Sequence, residues 1–317
     1  MDWDDFRVFL AIARERTLSG AARKLEVDQS TIGRRLAALE QAAATRLFDR
    51  TPDGYALTIA GEAVLPSVEA IETAAIAVER RLVGHDLRLE GRVRVALSDS
   101  FAAWFVLPRL AALHEQQPGI HVELVTGNQP VDLARREADI SVRMSKPEQP
   151  NLIARKIGRA AWALYAAESY VKARGLPDVT TGLAGHDVIG FETELRRTAG
   201  AVWLREQATR ARVAFSTNSL LSLAAAVVSG LGVSPLPCLF GDVQPELRRL
   251  PGGIIGHHEI WLVVHPDVRA SARVRLVMQF LTQQIEQESK LISGELARST
   301  GPAASKRRSS KRKDRMR

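Results

Sequence analysis

From Gln29 to Arg35 the chain reads Gln-Ser-Thr-Ile-Gly-Arg-Arg, and the polar members of this run share one chemistry. Their amide, hydroxyl and guanidinium groups donate and accept hydrogen bonds at base edges and phosphates. Gln29, Ser30 and Thr31 stand at the opening of a predicted helix, whose unpaired N–H groups favour a phosphate nearby. Arg34 follows one turn later on the exposed side, where its fork matches O6 and N7 of a guanine. Arg35 lies about 100° further round the helix and suits a phosphate. Downstream, Arg50 and Thr51 approach a tight turn and are placed to meet the sugar-phosphate edge of a flanking minor groove.

Signals for other chemistry are weak. The seven histidines (85, 114, 121, 186, 257, 258 and 265) show no metal-ligand spacing, and adjacent His257 and His258 on a strand would face opposite sides. No glycine-rich phosphate loop follows a strand, and "GLGVSP" lacks the frame of a nucleophile elbow. Cys238 stands alone, so neither an intrachain disulfide nor a multi-cysteine metal site is available. The expectation is a protein with no metal, no cofactor and no catalytic residues.

The elements that must hold the polar run are short helices. Phe6, Phe9, Leu10 and Ala13 form one face of a helix from Trp3 to about Arg14. Thr17 caps a second helix with Leu18, Ala21, Ala22 and Leu25 inward, the two alanines allowing close approach. Asp28 is the predicted cap of the third, where Ile32, Leu36 and Leu39 make the buried stripe. Two helices joined by so short a break describe a helix-turn-helix, whose second helix enters the major groove N-terminus first. Asp53-Gly54 then reads as a turn between extended pieces Phe48–Thr51 and Tyr55–Thr58, a small wing, and Thr58 caps the next helix.

From Thr58 to about Asp86 strand signals are absent. Val64, Val68, Ile71, Ala75, Val78 and Leu82 repeat at the spacing of a coiled-coil seam, a stripe too narrow to be buried without a partner helix. Pro66 is expected to kink this helix near Glu62. Dimerisation through the seam would place two reading heads about a twofold axis on a pseudo-palindromic duplex site.

Beyond Gly91 valine-rich strands alternate with helices ("RVRVALS", "HVELVTG", "DISVRM", "HDVIGF", "ARVAFST", "HEIWLVVH"), which predicts a mostly parallel α/β architecture in two lobes. "VDLARREA" between two of them reads as a short helix. Ligands of such sheets bind at the carboxyl ends of strands. The candidates are Ser98, Ser100, Thr126, Asn128, Phe191, Thr217 and Asn218. Ser100 and Asn218 also stand where helices begin, which favours an anionic small molecule.

The expected organisation is a winged helix-turn-helix over 1–60, a linker and dimerisation helix over 58–88, and an α/β domain over 91–290. Within the last, 91–160 and 266–290 form one lobe and 161–265 the other, with a disordered basic tail at 293–317. Net charge is +8, but eight basic residues against one acid in 306–317 account for nearly all of it. The first sixty residues balance nine of each sign, so any nucleic-acid affinity of the head rests on where its arginines point. No apolar run reaches the ~18–20 residues of a membrane span, and a secretory signal is lacking. With a lone cysteine, this points to a cytoplasmic protein that does not associate with membranes.

The order "GAARKL…QSTIGRRLAALE…RLFDRTPDGYALTIAGE" closely resembles the N-terminus of LysR-type transcriptional regulators over about sixty contiguous residues. Gly33 departs from the serine usual there and removes one hydroxyl contact. The resemblance implies sequence-specific binding to an operator as a homodimer or homotetramer, antiparallel pairing of the linker helices, and RNA polymerase as a further partner. "SGLGVSPLP" is similar to part of that family's effector domain, which implies a two-lobed fold like that of periplasmic binding proteins. The competing readings are a solute-binding or enzymatic α/β module with a DNA-localising appendage, and an architectural binder driven by the basic tail.

Overall fold

The computed structural model describes residues 2–84, 88–127 and 131–295. The first helix, α1 (Trp3–Glu15), begins at a capping box in which Asp2 and Asp5 exchange side chain–backbone bonds at 3.0 and 3.1 Å. Its buried face is Val8, Phe9, Leu10, Ala11 and Ile12, wider than the predicted stripe, while Phe6 and Ala13 are half-buried. The reason is that α1 is covered by three other helices. Thr17 caps α2 (Leu18–Leu25) through Gly20 N–H at 3.0 Å, and Gly20, Ala21 and Ala22 are buried where its neighbours approach. Glu26 takes a left-handed conformation (φ 55°), letting Val27 N–H reach back to the Ala22 carbonyl at 3.1 Å, and the chain turns at once into α3 (Gln29–Ala43). Asp28 occupies the cap position of α3 but its side chain makes no cap bond, contrary to expectation.

The wing pairs β1 (Phe48–Thr51) with β2 (Gly54–Leu57), antiparallel, Thr51 opposite Gly54. The two-residue loop is therefore Pro52-Asp53, one position earlier than predicted. Gly54 lies in the paired strand at φ 128°, where a Cβ would collide with the Arg16 carbonyl oxygen. That close approach lets Tyr55 N–H bond the same carbonyl at 2.7 Å and docks the wing on the end of α1. Thr58 lies beyond β2 and caps α4 (Ile59–Gly84) through Gly61 N–H at 3.1 Å.

Helix α4 runs unbroken through Pro66. Of the predicted seam, Val68 is only 3% exposed and belongs to the head's own core with Phe9 and Leu36. Ala75 is half-buried, whereas Val64, Ile71, Val78 and Leu82 are exposed. The two carboxylate oxygens of Glu72 accept from Arg14 at 2.7 and 2.9 Å, so helix and head are joined by a bidentate pair as well as by packing.

The second body opens with β3 (Gly91–Leu97), α5 (Asp99–Phe101), one π-helical turn (Ala102–Val106) and α6 (Leu107–Gln116). Pro108 explains the widened turn, since it has no N–H for the Trp104 carbonyl and its ring crowds that group. Then come β4 (Ile120–Thr126), β5 (Ile140–Arg143) and the long β6 (Ile153–Ala167). Residues 131–138, predicted helical, form turns in which Arg136 has φ 58°. The far lobe contains α7 (Glu168–Arg174), β7 (Asp187–Phe191), α8 (Ala199–Gln207), β8 (Arg212–Thr217), α9 (Leu220–Val228), β9 (Ser234–Pro237) and α10 (Cys238–Gly241). The chain returns through β10 (Leu247–Val264) to α11 (Pro266–Arg269), α12 (Ala272–Gln287) and α13 (Ser289–Ile292).

Six strands form one sheet in the order β4-β3-β5-β10-β6-β9. It is mixed rather than mostly parallel: β3 runs parallel to β4 and β5, but β10 is antiparallel to β5 and β6, and β9 to β6. Long β6 and β10 are a single antiparallel ribbon that carries the chain out to the far lobe and back. The return falls within β10, because Trp261–Val264 pair with β5, so these residues belong to the first lobe's sheet and not to the second lobe. The tail boundary also moves. Expected in the tail, Ser293–Glu295 are folded, with the Gly294 carbonyl accepting from Arg249 at 3.0 Å. Arg249 is paired with Asp242, which also accepts from Tyr165 at 2.8 Å. Residues 296–317 lie outside the described part.

Candidate nucleic-acid interface and ligand cleft

Ile32, Leu36 and Leu39 anchor α3 in the head's core, and the opposite face is bare. Gln29, Ser30, Arg34 and Arg35 are exposed and Thr31 is half-buried. Arg35 reaches Asp4 at 3.8 Å, an exposed and weak pair. On the wing, Arg50 donates through Nε to the Tyr55 hydroxyl at 2.9 Å and lies over that ring at 5.6 Å. The Thr51 hydroxyl donates to the Gly54 carbonyl at 3.3 Å. Glu40 ties α3 to the wing by accepting Leu47 and Phe48 N–H at 2.7 and 3.2 Å.

A cavity of about 660 Å³ opens between the lobes at the carboxyl ends of β3, β4 and β5. Ser98, Ser100 and Thr126 are in its wall. Ser98, rather than Ser100, is the cap of α5, accepting Phe101 N–H at 3.4 Å, and the two hydroxyls lie 3.5 Å apart. Three other candidates do not line the cavity. Phe191 is buried beside Trp162, ring centroids 6.3 Å apart. The Thr217 hydroxyl accepts Ser219 N–H at 3.1 Å, and Ser219, not Asn218, caps α9. Thr217 ends β8 and Asn218 follows it, both outside the wall, and Leu220 represents that corner instead. Asn128 lies outside the described residues.

The wall also holds residues the sequence reading passed over: Trp104, Arg143, Trp162, Arg197, Thr198 and His258. Arg143 ends β5, a strand end of the kind at which ligands of such sheets bind. Trp104 is carried in by the π turn and stacks on Phe240 at 4.2 Å. His258 sits on the ribbon where it crosses between lobes. Its Nε2 accepts Ala199 N–H from the start of α8 at 3.0 Å. Burial holds its pKa below the ordinary imidazole value, outweighing the upward pull of the Met144 backbone. The ring is a neutral acceptor that ties the ribbon to α8. Cys238 is buried, and burial pushes its thiol pKa up, which makes it an inert core residue. Among the described residues no cluster of His, Cys, Asp and Glu is arranged to hold a metal, and no helix is long and apolar enough to cross a membrane.

Comparison with known proteins divides the chain at the same place. Residues 3–62 match the model of the bacterial regulatory helix-turn-helix protein, lysR family, and residues 87–286 match the LysR substrate binding domain. The Mau operon transcriptional activator of Paracoccus denitrificans is 30% identical over 282 residues, covering 87% of this chain and 94% of its own. Among solved structures, the Vibrio cholerae virulence activator AphB aligns with a TM-score of 0.63 at 23% identity, covering 89% of this chain and 99% of that one. CrgA of Neisseria meningitidis, a LysR-type transcriptional regulator, aligns with a TM-score of 0.56 at 23% identity, covering 90% and 99%. At these identities the structures show a shared fold.

Proposed function

The chain belongs to the LysR family of bacterial transcriptional regulators, and on that premise we propose how its parts act on DNA and effector. It is a DNA-binding regulator with an effector-binding domain, not an enzyme. Helix α3 enters the major groove by its N-terminal end. Gln29, Ser30, Thr31 and Arg34 meet base edges, while Arg35 exchanges Asp4 for a phosphate, and Arg50 and Thr51 follow the flanking backbone. One observation carries this reading: the polar residues of α3 stand bare while Ile32, Leu36 and Leu39 pin the helix from behind.

The exposed face of α4 supports a homodimer. Val64, Ile71, Val78 and Leu82 stay in solvent although the helix is otherwise packed, and a second copy would bury them. Two heads on a twofold axis fit a pseudo-palindromic operator, and a dimer of dimers and contact with RNA polymerase extend the same arrangement. The effector is an anionic small molecule held between the lobes near Ser98, Ser100 and Thr126, and the site of action is the cytoplasm, where the DNA is.

Selection of bound fragments from genomic DNA, with full-length protein and with Arg34→Ala, tests the reading. The wild type is expected to enrich a twofold-symmetric site. The variant is expected to lose preference at one base pair per half-site, about 1–3 kcal/mol of discrimination. Uniform weakening across all sequences would assign Arg34 to phosphate and remove direct readout.

A further inference from the structure

Resting on the reading of the cleft as the effector site, we propose that the effector is a monoanion with a flat, largely apolar body, an aryl monocarboxylate in class, and that Arg143 selects for its charge. Arg143 is half-buried in the cavity wall, and its guanidinium is held by neutral acceptors only. The contacts are Ser141 Oγ at 3.3 Å, Gln149 Oε1 at 3.0 Å and the Val131 carbonyl at 3.0 Å. These occupy one N–H on each nitrogen and leave two of the five donors of a group that stays charged. Similarly enclosed arginines elsewhere meet a carboxylate: Arg94 with Glu123, Arg109 with Glu288, Arg249 with Asp242. Arg143 has no carboxylate within 4.0 Å among the described residues, and Asp132 acts on it only from further away. A partly desolvated charge with no counter-ion in contact is costly, and a carboxylate entering the cleft relieves that cost.

The wall beside it asks for a second acceptor and a ring. Trp162 is only 4% exposed, and its indole N–H, which makes no hydrogen bond among the described residues, is not one of the sealed unpaired atoms of the core. The far edge of that indole is pressed against Gly200, which turns the N–H edge the other way. Phe101, Trp104, Leu195 and Leu239 supply an apolar lining, and the neutral His258 ring adds no charge. Glu137 and Glu194 lie at the exposed rim, where they oppose a second negative charge. Arg197 also stands exposed at this rim, so two acids and one cation leave the rim net negative by one. One enclosed cation behind such a rim suits a monoanion better than a dianion.

A matched set of probes isolates the charge: phenylacetate, phenylacetamide, phenylmalonate and acetate, with cinnamate and cinnamamide as a longer pair. Binding to the full-length protein is measured by calorimetry and by the thermal midpoint. One or both aryl monocarboxylates are expected to bind, at least tenfold more tightly than the matching amide, than phenylmalonate and than acetate. Arg143→Gln should erase the preference of acid over amide, and Arg143→Lys should restore part of it. An amide that binds as well as its acid, an unchanged preference in Arg143→Gln, or binding of neither aryl monocarboxylate overturns the proposal. Ser100→Trp, which fills the cavity, separates the two readings. If it abolishes binding of an amide that matches its acid, the cleft stands and charge selection falls. If ligands still bind to Ser100→Trp unchanged, the cleft itself is not the site.

Discussion

Replacing Gly54 with alanine puts a methyl group where the structure has backbone. At φ 128° an L-residue is strained, and its Cβ would lie closer to the Arg16 carbonyl oxygen than the 3.0 Å that real Cβ atoms keep. Neither partner is the loose end of a side chain, so the wing must lift. Lifting breaks the 2.7 Å bond from Tyr55 N–H to the same carbonyl. Strain of this kind costs about 1–3 kcal/mol and the lost bond about 1 kcal/mol, so the docked wing should lose about 2–4 kcal/mol. That is on the order of a hundredfold in the docking equilibrium. A two-stranded hairpin has little stability of its own, and the cost should fall on the wing before the rest of the head. Hydrogen exchange should show the Tyr55 amide losing protection on that scale. DNase footprints should lose the flanks, with base preference under α3 retained. Asp53→Ala at the exposed loop is the control, expected within about 0.5 kcal/mol of wild type. Unchanged Tyr55 protection and unchanged flanks in Gly54→Ala would refute the argument from close approach.

Ile71→Glu places like charges across the α4 seam, on a side chain 44% exposed in the single chain. Sedimentation should report a smaller assembly, and an unchanged mass would contradict pairing through α4. For His258, burial sets the folded pKa below the ordinary 6.5, so the unfolded chain binds more protons between those two values. The stabilisation is full above about pH 6.5 and is lost as pH falls from there through the folded pKa, as Nε2 takes a proton and releases Ala199 N–H. Urea midpoints across pH 5 to 7.5 should therefore fall more steeply toward acid in wild type than in His258→Gln, where His257 still titrates. Parallel slopes would remove His258 from the account.

What the sequence determined by itself is local. Helix periods, the Thr17 and Thr58 caps and the wing follow from neighbours a few residues apart, because such elements are decided by interactions of short range. Even there, Asp28 shows the limit, since a cap residue is legible but its side-chain bond depends on what surrounds it. The bare polar end of α3 was legible too, because its apolar stripe leaves only one outward face. Tertiary structure decided the rest. Val68 has the spacing of a seam residue, yet α1 and α3 reach it first. Gly54 looks like a turn glycine, and only the Arg16 carbonyl shows why it stands one place later. Strands β6 and β10 read as short pieces because the sequence does not show that they pair with each other along a ribbon between lobes. For the same reason Trp162 and His258 became wall residues, while Phe191, Thr217 and Asn218 did not. Strand ends can be read along the chain, but which of them share a cavity is set by how two lobes pack, a long-range outcome that no local pattern encodes.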